Sequence, residues 1–205
     1  MIIGKKLDIQ KTIDGFIDRV FLWFIPHSIR PNHITVLRFI LVPVIYLLLR
    51  LDMFDVALVV FVIAASTDFI DGAMARTRNQ ITEVGKVIDP VADKLLIMSV
   101  LLYIGFDYFI VKIFVFFIIF ELVAVLMGAF FSFAVGRPLG ANFFGKIKMI
   151  LQSFSVGLFI LGIVIKNYVL IEVSEYILFV ALIFAIVSGL EHIRVSVRGF
   201  PKTLK

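Results

Sequence analysis

Four aspartates lie within a stretch of 26 residues, and their spacing pairs them on helix faces. Asp68 and Asp71 are three residues apart, and Asp89 and Asp93 are four apart. Residues three or four positions apart share one face of an α-helix. A short connection between two such helices would bring both pairs to one gap. Clustered carboxylate oxygens are the ligands that Mg²⁺, Mn²⁺ and Ca²⁺ prefer.

The alternative is that these aspartates only cap helices near a membrane surface. Asp89 precedes Pro90, and an acidic N-cap followed by proline is a common start of a helix. That interpretation accounts for Asp89 but not for the other three aspartates. Because a bare carboxylate near mid-membrane costs roughly 2.5–3.5 kcal/mol, a divalent cation that offsets the charge is the stronger hypothesis.

Composition places these charges in a membrane protein. The chain has 205 residues, of which 61% are hydrophobic, whereas a soluble domain has about 45–50% apolar residues. This excess argues against a water-soluble globule and excludes a disordered chain. The absence of cysteine excludes disulfides, thiolate nucleophiles and zinc–cysteine sites.

Six apolar segments are long enough to cross a bilayer, which needs about 20 residues each. They lie near residues 34–51, 54–76, 87–105, 109–135, 145–165 and 168–192. Residues 8–25 have an amphipathic helical pattern and either lie in the membrane interface or pack on the bundle. The sequence therefore predicts an all-α membrane protein in three parts: an interfacial segment (1–33), a six-span domain (34–194) and a basic tail (195–205).

Basic residues predict the orientation. Fifteen lysines and arginines lie in the N-terminal segment, the 2–3 and 4–5 connections and the C-terminus, against only Arg50, Lys112 and Lys166 on the other side. The positive-inside rule places both termini and the aspartate pairs on the cytoplasmic side. The net charge of +5 then reflects topology and attraction to anionic lipids. Nucleic-acid binding is not expected, because no soluble basic domain is present.

The segment from Asp68 to Asp93 reads D-x2-D-G-x2-A-R-x8-G-x3-D-x3-D. All eight fixed positions match the signature of the CDP-alcohol phosphotransferase family of membrane enzymes, also called CDP-alcohol phosphatidyltransferases. The chain is therefore identified as resembling a member of this family.

The resemblance implies transfer of a phosphatidyl group from CDP-diacylglycerol to an alcohol, with release of CMP. It implies one or two Mg²⁺ or Mn²⁺ ions held by the four aspartates, and Asp93 as general base for the acceptor hydroxyl. The residues expected at the CDP moiety are Asp71, Gly72, Ala75, Arg76 and Gly85, although Gly85 alone would also suit a turn. The family further implies a homodimer.

Three more segments, at residues 31–38, 85–94 and 145–152, resemble the phosphatidylglycerophosphate synthases within this family. This implies sn-glycerol 3-phosphate as acceptor. Its phosphate would meet basic residues on the cytoplasmic side, for which the candidates are Lys94, Arg137, Lys146 and Lys148. Each of them is equally explained by the positive-inside bias. The fourth span lacks the arginines usual in that group and carries Glu121, so inositol phosphate or another polar alcohol remains an alternative acceptor.

Two other classes of protein use carboxylates in membranes. A cation or proton transporter would show inverted repeats or spans broken near the midplane, and neither pattern is present. A membrane prenyltransferase typically has two aspartate-rich motifs in different halves of the chain, whereas all four aspartates here fall in one segment.

Overall fold

The computed structural model describes residues 15, 19–20, 23, 25–26, 29–78, 80–82, 84–104, 109–135 and 143–199. These residues contain no strand, which confirms the predicted all-α class. Their six helices, numbered α1 to α6, are Pro31–Arg50, Phe54–Thr77, Gly85–Ile104, Phe109–Val135, Phe143–Val164 and Tyr168–Gly199.

The helix bounds agree with the predicted segments to within three residues, except that α6 ends at Gly199 rather than near residue 192. α1 begins at Pro31, because proline has no N–H to leave unpaired in a first turn. α3 begins at Gly85, so Asp89 lies inside the helix and the interpretation of Asp89 as an N-cap is wrong. The amphipathic helix predicted over residues 8–25 lies largely outside the described residues.

Two tight turns join helices into antiparallel pairs. Asp52 between α1 and α2 has a φ of 59°, and Lys166 between α5 and α6 has a φ of 54°. This left-handed conformation is uncommon for residues other than glycine, and here it reverses the chain within three residues. Asn167 then caps α6, because its side-chain oxygen accepts a hydrogen bond from the backbone N–H of Val169 at 3.0 Å.

One apolar core joins all six helices. Its buried members include Ile45, Phe61, Val100, Phe114, Ile160 and Leu178, one from each helix in order. α5 and α6 pack along each other, and α1 packs against both α2 and α3. α1 therefore lies across the two helices that carry the aspartates.

Four helices of the described residues are long and apolar enough to cross a membrane. These stretches are Pro31–Arg50, Phe54–Thr77, Phe144–Val164 and Tyr168–Gly189, and most of their residues are not buried inside the protein. Large apolar side chains point outward instead, as Phe154 does with 59% of its surface exposed. Contiguous exposed apolar surface of this kind is typical of a protein that faces lipid.

Candidate active site

The four aspartates come together at the junction of α2 and α3. Asp68 and Asp71 lie in the last three turns of α2, and Asp89 and Asp93 lie near the start of α3. Only seven residues, 78–84, connect the two helices. The short connection makes α2 and α3 neighbours, as the sequence predicted, so the two pairs face the same region.

Arg38 of α1 links three of the aspartates. Its Nη2 lies 2.8 Å from Asp71 Oδ2 and its Nη1 lies 3.4 Å from Asp68 Oδ1. Nη1 also donates to Asp93 Oδ1, and Nε donates to Thr67 Oγ1 at 3.2 Å. The arginine side chain is fully buried, so its whole charge is balanced by these carboxylates rather than by water.

Thr35 of α1 contacts the fourth aspartate. Its hydroxyl donates to Asp89 Oδ1 at 2.7 Å, and the threonine is fully buried. Because Thr35 and Arg38 are three residues apart, they lie on one face of α1. That single face therefore contacts all four aspartates.

The cluster carries more negative than positive charge. Four carboxylates face one guanidinium, so up to three negative charges are left without an ion-pair partner from α1. The exposed fraction of the side chain is 2% for Asp71, 14% for Asp93 and 35% for Asp68, so the gap opens at the Asp68 end. Buried carboxylates in excess are costly unless a cation pairs with them.

The donor set fits a hard divalent cation by its chemistry, since all four aspartates on α2 and α3 offer carboxylate oxygen. Within the described ranges, no three acidic or histidine side chains already stand in the arrangement of a metal site. The guanidinium of Arg38 lies between them. An ion would therefore bind after the side chains move closer together.

Two of the residues expected at the CDP moiety form one unit on α2. A Cβ atom added to Gly72 would lie 3.2 Å from Arg76 Nη1. The missing side chain of Gly72 therefore makes room for the guanidinium of Arg76, which folds back along the helix toward Gly72. Ala75 lies next to Arg76 in the same turn and is half-buried.

Gly85 ties the α2–α3 connection to α1. Its N–H donates to Thr82 Oγ1 at 2.9 Å, and the Thr82 hydroxyl donates to Asn32 Oδ1 at 3.2 Å. An added Cβ would lie 2.9 Å from the Thr82 hydroxyl and 3.7 Å from Asp89 Oδ2. The absence of a side chain at Gly85 therefore permits close packing beside the gap. Gly85 is the first residue of α3 rather than a turn residue of the connection, and its role toward CDP remains a proposal.

The chain before α1 is held against the end of α2. Arg78 donates to the backbone carbonyl oxygens of Ile25 at 2.8 Å, Pro26 at 3.4 Å and Ile29 at 3.5 Å. Hydrogen bonds from a charged donor contribute about 1.5–3 kcal/mol each. The entry to α1, and with it the position of Thr35 and Arg38, is thereby fixed relative to α2.

A second cluster of charges joins α3, α4 and α5. Lys94 Nζ donates to Glu121 Oε2, and Lys148 Nζ lies 3.0 Å from Glu121 Oε1. Lys94 follows Asp93 but points to another side of α3, because successive helix residues are about 100° apart. Lys146 is exposed on α5, and Arg137 lies outside the described residues.

The sequence did not assign Arg38 and Thr35 to the site, although both lie in a segment that resembles the family. A signal was available: an arginine flanked by apolar residues within a predicted span is costly unless carboxylates pair with it. The four motif aspartates were predicted on the same side of the membrane, so they were the evident partners of Arg38. Glu121 was noted as a mid-span carboxylate, but its two lysine partners depend on how three helices pack.

This fold and site define a helical membrane protein with a carboxylate gap between two neighbouring helices. The sequence matches the CDP-alcohol phosphatidyltransferase family over residues 28–187, a range that contains the whole motif and both clusters. The chain therefore belongs to the CDP-alcohol phosphatidyltransferase family, and it is a phosphatidyltransferase of the membrane.

Relatives cover most of the chain. It is 33% identical over 183 residues to the CDP-diacylglycerol–glycerol-3-phosphate 3-phosphatidyltransferase of Bacillus subtilis, which spans 79% of this chain and 92% of the relative. A Rickettsia felis protein of the same name is 30% identical over 174 residues, or 83% of this chain and 96% of the relative. The rat cardiolipin synthase (CMP-forming) is 46% identical over a shorter stretch of 80 residues, which is 38% of this chain and 26% of the relative.

Proposed function

We propose that this protein transfers the phosphatidyl group of CDP-diacylglycerol to sn-glycerol 3-phosphate, which yields phosphatidylglycerophosphate and CMP. The observation that carries the reaction is the convergence of the four motif aspartates, from two helices, on one position beside α1. The choice of acceptor rests on the names of relatives that cover about four-fifths of the chain.

Asp68, Asp71, Asp89 and Asp93 would hold one or two Mg²⁺ or Mn²⁺ ions. The all-oxygen donor set and the excess negative charge of the gap support this proposal. When bound, such ions neutralise the charge of a diphosphate and help to align it for in-line displacement.

The nucleotide end of the lipid substrate would lie over the last turns of α2. Arg76 offers a planar fork that suits a phosphate, and Gly72 lets this fork lie close to the helix backbone. Asp71, Ala75 and Gly85 border the same region. These five residues are therefore proposed to contact the CDP moiety.

Asp93 is proposed as the general base. It is close to the other carboxylates but 14% exposed, so an acceptor hydroxyl can approach it from the open side of the gap. The hydroxyl oxygen attacks the phosphorus that carries the diacylglycerol, and the bond from that phosphorus to the CMP oxygen breaks. Asp93 takes the hydroxyl proton, while CMP leaves with the electron pair.

Lys94 and Lys148 are proposed to receive the phosphate of the acceptor. Both are near Glu121 on one side of α3, while Asp93 of the same helix turn faces the gap. The two lysines and Glu121 together carry one net positive charge, which suits a phosphate monoester. Lys146 and Arg137 are proposed as further basic residues at the entrance, and inositol phosphate is the alternative acceptor for the same cluster.

The proposal extends to the membrane arrangement. We propose six crossings with both termini and the gap on the cytoplasmic side, an interfacial segment at 1–33, the catalytic domain at 34–194 and a basic tail at 195–205. Four apolar helices and the short turns between α1 and α2 and between α5 and α6 support this arrangement. A homodimer is proposed from the resemblance to the family.

An acceptor panel tests the function. The purified protein is supplied with CDP-diacylglycerol, Mn²⁺ or Mg²⁺, and in separate reactions glycerol 3-phosphate, inositol phosphate or a neutral amino alcohol, and CMP is measured. We expect CMP with glycerol 3-phosphate above the level without acceptor, and none after chelation of the metal. CMP release with inositol phosphate but not with glycerol 3-phosphate would show that inositol phosphate is the acceptor. No CMP with any acceptor would overturn the proposed reaction.

A further inference from the structure

Arg38 stands where the carboxylates converge, and this raises the question of how it coexists with a bound ion. Its guanidinium contacts Asp68 Oδ1, Asp71 Oδ2 and Asp93 Oδ1 at the same time. The arginine belongs to α1, whereas all three carboxylates belong to α2 and α3. The roles proposed for the aspartates do not explain why an arginine lies among them.

A guanidinium and a divalent cation compete for this position. Both are attracted by the same oxygens, and two cations a few ångströms apart in a buried site repel each other strongly. Arginine cannot relieve this repulsion by losing its proton. The guanidinium therefore competes with an ion for the three carboxylates in the arrangement that the structure shows.

We propose that Arg38 and the divalent cation exchange at the same carboxylates, an inference that rests on the proposed metal-dependent reaction. Before the ion arrives, the guanidinium screens the repulsion among aspartates and keeps them gathered. When the ion binds, the guanidinium withdraws from them. The bond from Nε to Thr67 Oγ1 involves no carboxylate, so it can keep the arginine beside the gap. Arg38 is thus a positioning residue that acts through the metal ligands.

The test is the affinity of the purified protein for Mn²⁺ alone, measured as free Mn²⁺ by electron paramagnetic resonance during a titration. Arg38→Gln removes the charge but keeps a polar side chain, and we expect Mn²⁺ to bind at least tenfold more tightly than to wild type. Arg50→Gln is the matched control, because Arg50 is exposed at the other end of α1, and its affinity should equal that of wild type.

Thermal unfolding gives an independent readout. Without metal, Arg38→Gln should unfold at a lower temperature than wild type, and saturating Mn²⁺ should raise its Tm by more than it raises that of wild type. Arg38→Lys keeps the charge but loses the fork, so its Mn²⁺ affinity should lie between those of wild type and Arg38→Gln. If Arg38→Gln does not fold, the Mn²⁺ affinity of Arg38→Lys tests the inference instead.

Two outcomes overturn the inference in different ways. If wild type binds Mn²⁺ and the Arg38 variants bind it equally or more weakly, the guanidinium does not compete with the ion, while the proposed function stands. If wild type binds no Mn²⁺, the proposed metal site fails and this inference fails with it.

Discussion

The four aspartates share a side-chain type but not an environment. Asp71 is almost fully buried against Arg38, whereas Asp68 and Asp93 reach the open side of the gap. Asp89 accepts a hydrogen bond from the neutral hydroxyl of Thr35. A buried carboxylate paired with a cation suits a structural and ligand-holding role, and a partly open one can also meet substrate.

Replacing Asp93 by asparagine tests the base. We expect Asp93→Asn to lower kcat for CMP release by about 10²–10⁴-fold, the usual contribution of a general base. Asp55→Asn is the control, because Asp55 is an exposed aspartate at the start of α2, and it should retain full activity. Full activity in Asp93→Asn would remove the base assignment while leaving the family assignment intact.

Thr35 offers a test that changes no charge. Thr35→Val keeps the shape but removes the 2.7 Å hydrogen bond that orients Asp89, and partners of metal ligands typically contribute 10–100-fold to metal affinity. We expect Mn²⁺ affinity to fall by about 10–100-fold, the opposite direction from Arg38→Gln. In the control, Thr77→Val, the lost hydroxyl contacts only a carbonyl oxygen of its own helix, so affinity should not change. Wild-type affinity in Thr35→Val would show that the threonine does not orient the site.

At the scale of helices, the apolar pattern predicted all six, because each is a long apolar run bounded by proline, charges or turn residues. The placement of the two aspartate pairs on α2 and α3 followed from spacing and a short connection. The roles of Arg38 and Glu121 could not be predicted from the sequence, because their partners lie 27 to 55 residues away along the chain. Such contacts depend on which helices pack together, and a single sequence does not carry that information.

The cluster on α3, α4 and α5 makes a prediction about acceptor binding. Lys148→Gln removes one of two cations that would meet the acceptor phosphate, so we expect KM for glycerol 3-phosphate to rise at least tenfold, in line with about 1.5–3 kcal/mol for a charged hydrogen bond. KM for CDP-diacylglycerol should stay near that of wild type. Lys112→Gln, at an exposed position on α4, serves as the control. A change in both KM values to the same extent would point to a general loss of structure instead.

For the whole molecule, the arrangement matches a reaction between a lipid and water-soluble partners. Apolar side chains cover the outside of the helices, and the carboxylate gap lies near the ends of α2 and α3 where their connection begins. A substrate with acyl chains in the bilayer could then present its diphosphate to the gap from the membrane, while a soluble acceptor enters from water.

The membrane orientation can be measured directly, because the chain has no cysteine of its own. Single cysteines at Asp52 and Lys166, in the turns between α1 and α2 and between α5 and α6, should react with a membrane-impermeant maleimide in intact cells. A cysteine at Ile81, exposed in the α2–α3 connection, should react only after permeabilisation. The reverse pattern would place the gap on the outer side.

We propose that the carboxylate gap directs transfer of a phosphatidyl group. CDP-diacylglycerol labelled with ³²P in the phosphate attached to the diacylglycerol tests it most directly, with glycerol 3-phosphate and Mn²⁺ present. We expect the label to move into phosphatidylglycerophosphate, unlabelled CMP to appear in equal amount, and Asp71→Asn to abolish both. Label that leaves with the nucleotide as CDP, or that appears in phosphatidic acid through attack by water, would contradict this expectation.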